Sequence, residues 1–329
     1  MQNFCIYCEK DDSRFLYKTE DINDNRYSIK ECNACRAFFL SPRPGENELN
    51  NAYDDSYYGQ GENKFSWLIE GTLDFLRRRK AHRIASYIGG KGRVLDIGCG
   101  NGKLLSFLKK EGDFDLQAIE REGGSARRAA EVPGINLRLG TLKEGDFKEE
   151  SLDAVLLYQV FEHLSNPAQT LNIISRIVKK GGFFIVAFPN IASLQSRIFK
   201  GKWFHLDPPR HLVFFAPDEF EKKLENLGWK LVSENHFNIE YNAYGIEQSL
   251  LNVMLRKRDV LYERLKGNQI YAKEYGGFLL FIQKVFFVFG YPLFFILSVL
   301  ESMFRKGGSV EYVFQKKYTN SELRMSTQE

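Results

Sequence analysis

The middle of the chain shows two patterns of apolar and polar positions, one typical of strands and the other of helices. Short apolar runs at 92–97 and 115–119 are typical of buried strands, and the segment between them, 103–110, has the periodicity of a helix. Two further strands are predicted towards the C-terminus, at 229–236 and 309–317. Strands joined through helices predict an α/β fold built on a parallel sheet.

The segment at 277–304 is the most apolar part of the chain. Its sixteen residues 285–300 carry no charge, but about 20 are needed to cross a bilayer. The sequence Gly290-Tyr291-Pro292 also interrupts the helical pattern. We therefore predict two short helices hinged at this break, and no transmembrane span.

Two placements remain open for these short helices. They could lie in a membrane interface with basic residues at their edges, or they could pack against the core or against a second subunit of a homo-oligomer. The basic residues concerned are Lys273, Lys284, Arg305 and Lys306.

Composition and charge narrow the class of protein. Of 329 residues, 43% are hydrophobic and 27% are charged, as in a globular chain. The net charge of +4, from 46 basic and 42 acidic residues, is too balanced to predict a nucleic-acid partner. The basic run 77–80, within a predicted amphipathic helix at 67–88, is interpreted as a solvated face. The polar N-terminus has no signal-peptide pattern, so we expect a cytoplasmic protein, peripheral on the inner membrane face if the apolar helices bind lipid.

Four of the five cysteines form two CxxC pairs near the N-terminus: Cys5 with Cys8, and Cys32 with Cys35. Without a secretory signal, this doubled spacing favours metal binding over disulfides, and four thiolates suit tetrahedral Zn²⁺. Four protein ligands leave no open coordination position. We therefore predict a structural zinc ribbon over residues 1–45.

A glycine-rich turn follows the first predicted strand of the α/β core. Asp96 stands at the strand end, and Gly98, Gly100 and Gly102 lead into the helix, while Glu120 ends the next strand. Glycines allow a sharp turn and a close backbone approach to a ligand. A carboxylate at the position of Asp96 would repel a pyrophosphate but can pair with an ammonium group, and Glu120 stands where an acidic side chain accepts ribose hydroxyls. Adenosine with a cationic amino-acid tail is S-adenosylmethionine, which we predict as cofactor.

Two segments carry a resemblance to a known family. Residues 94–102 resemble motif I of class I S-adenosylmethionine-dependent methyltransferases, and Glu120 matches their second acidic motif. Residues 151–167, reading SLDAVLLYQVFEHLSNP, are similar to the ubiquinone-biosynthesis-like branch. A CxxC…CxxC unit followed by a proline-rich linker and a tyrosine-rich stretch also resembles the front end of such bacterial proteins.

The resemblance implies a Rossmann-like, seven-stranded methyltransferase sheet with an N-terminal zinc ribbon. It places the linker and N-terminal helices at 46–90 and the core at 91–237 and 308–318. A mostly helical apolar insertion then occupies 238–307, before the last strand.

The resemblance also implies roles for individual residues in the cofactor site. Asp96 and the loop glycines would line the cofactor, and Glu120 would hold its ribose. Leu142 would lie near the adenine, and Tyr158 and Gln159 would face the methionine tail or the methyl group.

The segment 203–211, WFHLDPPRH, offers candidate catalytic groups after the predicted fifth strand. His211, and secondly His205, could accept a proton from the acceptor, and Arg210 could bind an anionic acceptor. A packed loop remains an equal alternative, with Arg210 bonded to Asp207 and His211 capping the next helix. We interpret the other three histidines, His82, His163 and His236, as structural or peripheral.

These observations predict methyl transfer from S-adenosylmethionine to a small-molecule, lipid-linked or sugar-linked acceptor, at oxygen, carbon or nitrogen. Association of the family with surface-glycan or lipid biosynthesis suggests a role there. The alternative is a catalytically inactive scaffold that combines a zinc ribbon with a Rossmann core.

Overall fold

The computed structural model describes residues 4–53, 67–266 and 275–318, with side chains of the first long helix from residue 71 onward. Lys273, predicted at a membrane edge, lies outside the described residues, as do the tyrosines of the stretch 54–58.

Strands and helices follow one another in chain order. The strands are β1 Ser13–Glu20, β2 Arg26–Cys32, β3 Phe38–Ser41, β4 Lys91–Ile97, β5 Asp113–Glu120, β6 Ile135–Leu139, β7 Leu152–Tyr158, β8 Val178–Pro189, β9 Val213–Phe214, β10 Trp229–Asn235 and β11 Ser309–Lys316. The helices are α1 Glu46–Ala52, α2 Trp67–Ile88, α3 Lys103–Leu108, α4 Gly124–Ala130, α5 Pro167–Ile177, α6 Leu194–Phe199, α7 Pro217–Asn226, α8 Asn242–Met254, α9 Val260–Leu265 and α10 Gly277–Met303.

Seven strands form the main sheet, in the order β6-β5-β4-β7-β8-β11-β10. The five strands from β4 to β8 pair in parallel, whereas β11 runs antiparallel to both of its neighbours. The predicted seven-stranded, Rossmann-like sheet is confirmed. Because β4 and β5 are adjacent and parallel, their carboxyl ends meet at one edge of the sheet.

Aromatic side chains fill the core between the sheet and helices α5 and α7. Phe220 of α7 is fully buried, and its ring centroid lies 4.6 Å from that of Phe188 and 5.1 Å from that of Phe161. Phe314 and Tyr312 of β11 pack on its other side. The last strand therefore contributes to the same core as the strands 130 residues before it.

The cysteine-bearing hairpin is packed into the rest of the molecule. A second sheet has the order β1-β2-β3-β9, in which Phe39 of β3 pairs with Val213 of β9. Tyr7, between the first two cysteines, contacts Phe215 edge to face, with ring centroids 5.0 Å apart. The ribbon is therefore not a separate unit in space. The predicted boundary near residue 45 marks its end along the sequence, but β9, which comes much later in the chain, completes its sheet.

The apolar insertion contains one long helix where two short ones were predicted. Helix α10 runs for 27 residues and continues through Pro292. A proline inside a helix removes one backbone hydrogen bond, but α10 packs along α8 and the adjoining loop. The Tyr291 hydroxyl donates to the Ile239 carbonyl at 3.1 Å, and Phe294 is buried.

The prediction of two hinged helices is therefore wrong, because α10 is continuous through the proline and packs on a neighbouring helix. The length argument against a span also fails. Among the described residues α10 is the helix that is long and apolar enough to cross a membrane, by length and composition alone.

Replacing Phe220 with alanine should lower the free energy of unfolding by about 3 to 5 kcal/mol, because it empties the centre of the aromatic core. Phe15→Ala is the control, since that ring is 56% exposed and its loss should change stability by less than about 0.5 kcal/mol. Denaturant unfolding of both variants measures the difference. Equal losses in the two variants would contradict this assignment of the core.

Candidate functional site

The glycine turn after β4 is tied to the neighbouring strand β5. The Gly98 amide donates to the Ile119 carbonyl at 2.7 Å, and the Gly100 amide donates to the Glu120 carboxylate at 2.6 Å. Gly98 has a φ of 73°, and a Cβ there would lie 2.4 Å from a methyl group of Val160. A side chain at Gly98 would therefore be both strained and obstructed.

Two buried carboxyl groups stand at this edge of the sheet. Asp96 and Glu120 are 3% and 7% exposed. Burial, reinforced by the nearby Glu120, raises the pKa of Asp96 to about 8, and burial also raises the pKa of Glu120. Both acids would be stabilised in their ionised forms by a cation brought between them.

Lys80 of α2 partly offsets the negative charge of these acids. Its ammonium group lies 4.3 Å from the ring centroid of Tyr158, and its charge acts to lower the pKa of Asp96. The basic run 77–80 is therefore not wholly a solvated face. The helical pattern alone could not reveal this, since only the packing of α2 against β4 and β8 turns Lys80 towards the strand ends.

The predicted cofactor residues stand at or after the carboxyl ends of the adjacent parallel strands β6, β5, β4 and β7. Gly102 caps α3 with a φ of 72°. Gln159 follows β7 with a φ of 54°, and its side chain donates to the Ser309 hydroxyl at 3.0 Å. Tyr158 lies under Lys80. Leu142 is farther along the chain, after β6, half-buried against the core.

The residues present fit an S-adenosylmethionine molecule. A Cβ built on Gly100 would meet no atom within 4 Å, so the loop offers close backbone approach where a ligand would rest. Each oxygen of Glu120 accepts one backbone amide, from Gly100 and from Arg121, and each retains a lone pair for a ribose hydroxyl. Asp96 is a buried carboxyl suited to a cationic amino group.

The four cysteines form one cluster between the ribbon strands. The sulphurs of Cys5, Cys8, Cys32 and Cys35 all lie within 4.8 Å of one another, with Cys5 to Cys35 and Cys8 to Cys32 at 3.5 Å. Tetrahedral zinc with bonds of about 2.3 Å requires sulphurs about 3.8 Å apart, so this geometry fits the ion. The hydrogen bond from Cys35 lowers the pKa of the Cys5 thiol to about 5, which favours a thiolate there.

A second cluster of polar groups follows β7. Glu162, His163 and His211 each bring one donor atom to within 4.8 Å of the others. Both carboxylate oxygens of Glu162 are buried without a hydrogen-bond partner among the described residues, and burial raises its pKa to about 8. Burial lowers the pKa of His211. At neutral pH the cluster therefore holds a protonated carboxyl group and a neutral imidazole.

The protonation pattern of His211 follows from its hydrogen bonds. Nδ1 lies 2.8 Å from the His205 carbonyl oxygen, which can only accept, so Nδ1 carries the proton. Nε2 then presents its lone pair, 3.7 Å from Asp207 and 3.9 Å from Glu162. His211 is therefore arranged as a proton acceptor.

The other two predicted residues of the 203–211 segment have different surroundings. His205 lies among the rings of Trp203, Phe204 and Tyr241, and burial lowers its pKa to about 3. Arg210 pairs with Asp207, as in the packed-loop alternative, and donates to the Ala52 carbonyl at 3.2 Å. The geometry thus favours His211 over His205 as a base, and an anion could engage Arg210 only in competition with Asp207.

Helix α1 connects the histidine cluster to the cofactor edge. The Tyr53 hydroxyl lies 2.7 Å from Nδ1 of His163, and the guanidinium of Arg121, next to Glu120, lies 4.5 Å from the Tyr53 ring centroid. Sequence reasoning missed Tyr53 and Glu162 as members of the site. The EH pair within 151–167 was the available signal for Glu162, whereas Tyr53 is brought in from the linker by tertiary packing.

A cleft of about 630 Å³ opens next to the residues that contact Tyr158 and Gln159. Lys80 and Ser309 line it, and these residues contact Tyr158 and Gln159 respectively. Basic residues of α2 form one wall, and the segment 235–240 forms the other. The remaining two histidines form hydrogen bonds with carboxylates, His82 with Glu111 at 2.8 Å and His236 with Glu234 at 2.7 Å.

Comparison with known proteins adds independent information. Residues 72–234 match the family model described as a methyltransferase domain. A protein of Mycolicibacterium smegmatis named a probable S-adenosylmethionine-dependent methyltransferase is 30% identical over 142 residues, which is 43% of this chain and 55% of that protein. A ubiquinone biosynthesis O-methyltransferase of Sinorhizobium fredii is 28% identical over 176 residues, covering 50% of this chain and 71% of that protein.

Solved structures share the fold at low sequence identity. A structure from Galdieria sulphuraria assigned as a sarcosine dimethylglycine methyltransferase aligns with a TM-score of 0.51 at 12% identity, over 80% of this chain and 94% of that one. The matched family model, the relatives and the sheet order agree. The chain belongs to the class I S-adenosylmethionine-dependent methyltransferases.

Proposed function

We propose that the chain is an enzyme that transfers the methyl group of S-adenosylmethionine to a small-molecule, lipid-linked or sugar-linked acceptor. The observation that carries the proposal is the Glu120 carboxylate bonded to the Gly100 amide beside the buried Asp96. A scaffold without catalysis has no need for two buried acids at the tips of adjacent strands. Relatives named for ubiquinone biosynthesis support O-methylation as the first chemistry to test.

The cofactor, when bound, supplies an electrophilic methyl group on a positively charged sulphur. The chain would orient it through Glu120 and Asp96 and shield it beneath α2, where Lys80 covers Tyr158. The acceptor would approach from the cleft lined by Lys80 and Ser309 or from the side of the histidine cluster. In-line displacement then requires mainly positioning and the removal of a proton from the acceptor.

His211 is the residue best placed to take that proton, on Nε2. Asp207 would stabilise the imidazolium that forms. Although burial alone would raise it, Arg210 and His211 hold the pKa of Asp207 far below its ordinary value, so this carboxylate stays ionised. The arrangement supports general-base catalysis, with the Asp207 carboxylate 3.7 Å from the nitrogen that would take the proton.

We also propose that the four cysteines bind one structural Zn²⁺ per chain. The sulphur separations support tetrahedral coordination, and a hairpin of this length cannot form a core of its own.

Asp96→Asn and Glu120→Gln should each weaken S-adenosylmethionine binding by about ten- to a hundredfold, because each removes a charge-assisted hydrogen bond. Isothermal titration calorimetry measures the affinity. Asp115→Asn, on the exposed side of β5, is the matched control and should bind as the wild type does. Absence of binding by the wild-type protein at millimolar cofactor would refute methyl transfer and favour the scaffold alternative.

Cys32→Ser should abolish stoichiometric zinc and lower the melting temperature, because Cys32 lies at the end of β2 next to the ribbon core. Elemental analysis of purified protein gives the metal content. Cys99→Ser, which changes the cysteine outside the cluster, should keep one zinc per chain. Zinc retained at full occupancy in Cys32→Ser would contradict the four-cysteine site.

Glu162→Gln should flatten the dependence of stability on pH. The pKa of Glu162 is about 8 in the folded chain and ordinary in the unfolded chain, so the folded state binds more protons between these values and loses stability as pH rises. Between pH 5 and 8.5 the free energy of unfolding of the variant should rise relative to that of the wild type by about a few kcal/mol. The melting temperatures of the two proteins across this pH range measure the change. The exposed Glu144→Gln serves as control, and parallel profiles for Glu162→Gln and the wild type would count against the assignment.

A further inference from the structure

Helix α10 presents an apolar face to the outside of the molecule. Seven of its large apolar side chains are more than half exposed, and their helical spacing places them on one face: Phe278, Phe281, Val288, Phe289, Leu293, Ile296 and Met303. The helix is about 40 Å long, so this stripe is far larger than the scattered exposed apolar residues of an ordinary surface.

The face of α10 that points inward carries polar side chains beside the apolar Leu280 and Phe294. Gln283, Ser298 and Glu301 are buried, and the Glu301 carboxylate accepts from Gln195 at 2.6 Å. On the facing helix α8, Glu247 is fully buried. A water-exposed helix places its polar side outward. Helix α10 instead buries three polar side chains and exposes a continuous apolar stripe, which indicates an apolar environment outside it.

We propose that the exposed face of α10 docks in the plane of a lipid bilayer. The helix lies along α8, and α8 is fixed to the core, for example through Ser249, whose hydroxyl accepts from the Phe204 amide at 2.9 Å. A helix held in this way cannot cross the bilayer without carrying its buried polar partners with it. An in-plane position places only the apolar stripe in the acyl region.

Charge favours lipid over a second copy of the chain. Helix α10 has two charged residues, of which Glu301 is buried and Lys284 is exposed at the edge of the stripe. A second α10 would offer no exposed carboxylate to Lys284. An anionic lipid surface would, since a lysine can reach phosphate groups while its stem stays among apolar neighbours. Arg256, beyond the exposed Met254 at the end of α8, adds a second exposed cation.

Flotation of the full chain with vesicles of phosphatidylcholine and phosphatidylglycerol tests the proposal. The wild type should float with the vesicles, and more weakly with phosphatidylcholine alone. The double variant Phe281→Glu, Phe289→Glu should lose about tenfold or more in partition, because both side chains leave the lipid. A matched double variant on exposed rings elsewhere, Phe15→Glu with Phe75→Glu, should float as the wild type does.

Calorimetry with S-adenosylmethionine on the same variants separates this test from the test of the methyltransferase assignment. The Phe281→Glu, Phe289→Glu variant should lose vesicle binding and keep the cofactor affinity of the wild type. Phe289→Trp keeps the face apolar, and its fluorescence should be quenched by vesicles with brominated acyl chains. Failure of the wild type to float, or no quenching in Phe289→Trp, would overturn the proposal. So would a stable dimer in sedimentation that the double glutamate variant dissociates without any flotation.

Discussion

The hydrogen bond between the Gly100 amide and the Glu120 carboxylate joins the two strand tips on which the cofactor site depends. It exists only because β4 and β5 are adjacent and parallel, and because Gly98 and Gly100 adopt positive φ angles. The same arrangement buries Asp96 beside Glu120 and raises its pKa. Two buried acids whose charge Lys80 offsets only in part favour a cationic ligand, and this requirement links the local backbone to the chemistry of the family.

The ribbon and the histidine cluster are parts of one structure. His211 stands two residues before β9, the strand that completes the ribbon sheet by pairing with β3. The Leu212 amide donates to the Glu162 carbonyl at 2.7 Å, and its own carbonyl accepts from the Leu40 amide at 3.1 Å. A metal that stabilises the ribbon would therefore also hold the loop that carries the candidate base. This coupling would give the N-terminal module a role in positioning that loop, beyond its own folding.

The segment between β10 and β11 contributes to both the cleft and the apolar helix. Its first segment, 235–240, forms a wall of the cleft, and Phe237 packs edge to face on Phe295 of α10 at 5.8 Å. The segment 235–240 thus both lines the cleft and contacts α10.

Local chemistry determined much of this protein from its sequence alone: the strands, the glycine turn with its acids, and the paired cysteines are all encoded within short segments. Continuity of α10 through Pro292 was decided by packing on α8, since the cost of one lost hydrogen bond is met only in the folded chain. Pairing of β3 with β9, the turn of Lys80 towards Tyr158 and the approach of Tyr53 to His163 likewise join residues far apart in sequence. The hydrophobic periodicity of a single segment cannot predict such contacts, because each depends on where two distant segments meet in the folded chain.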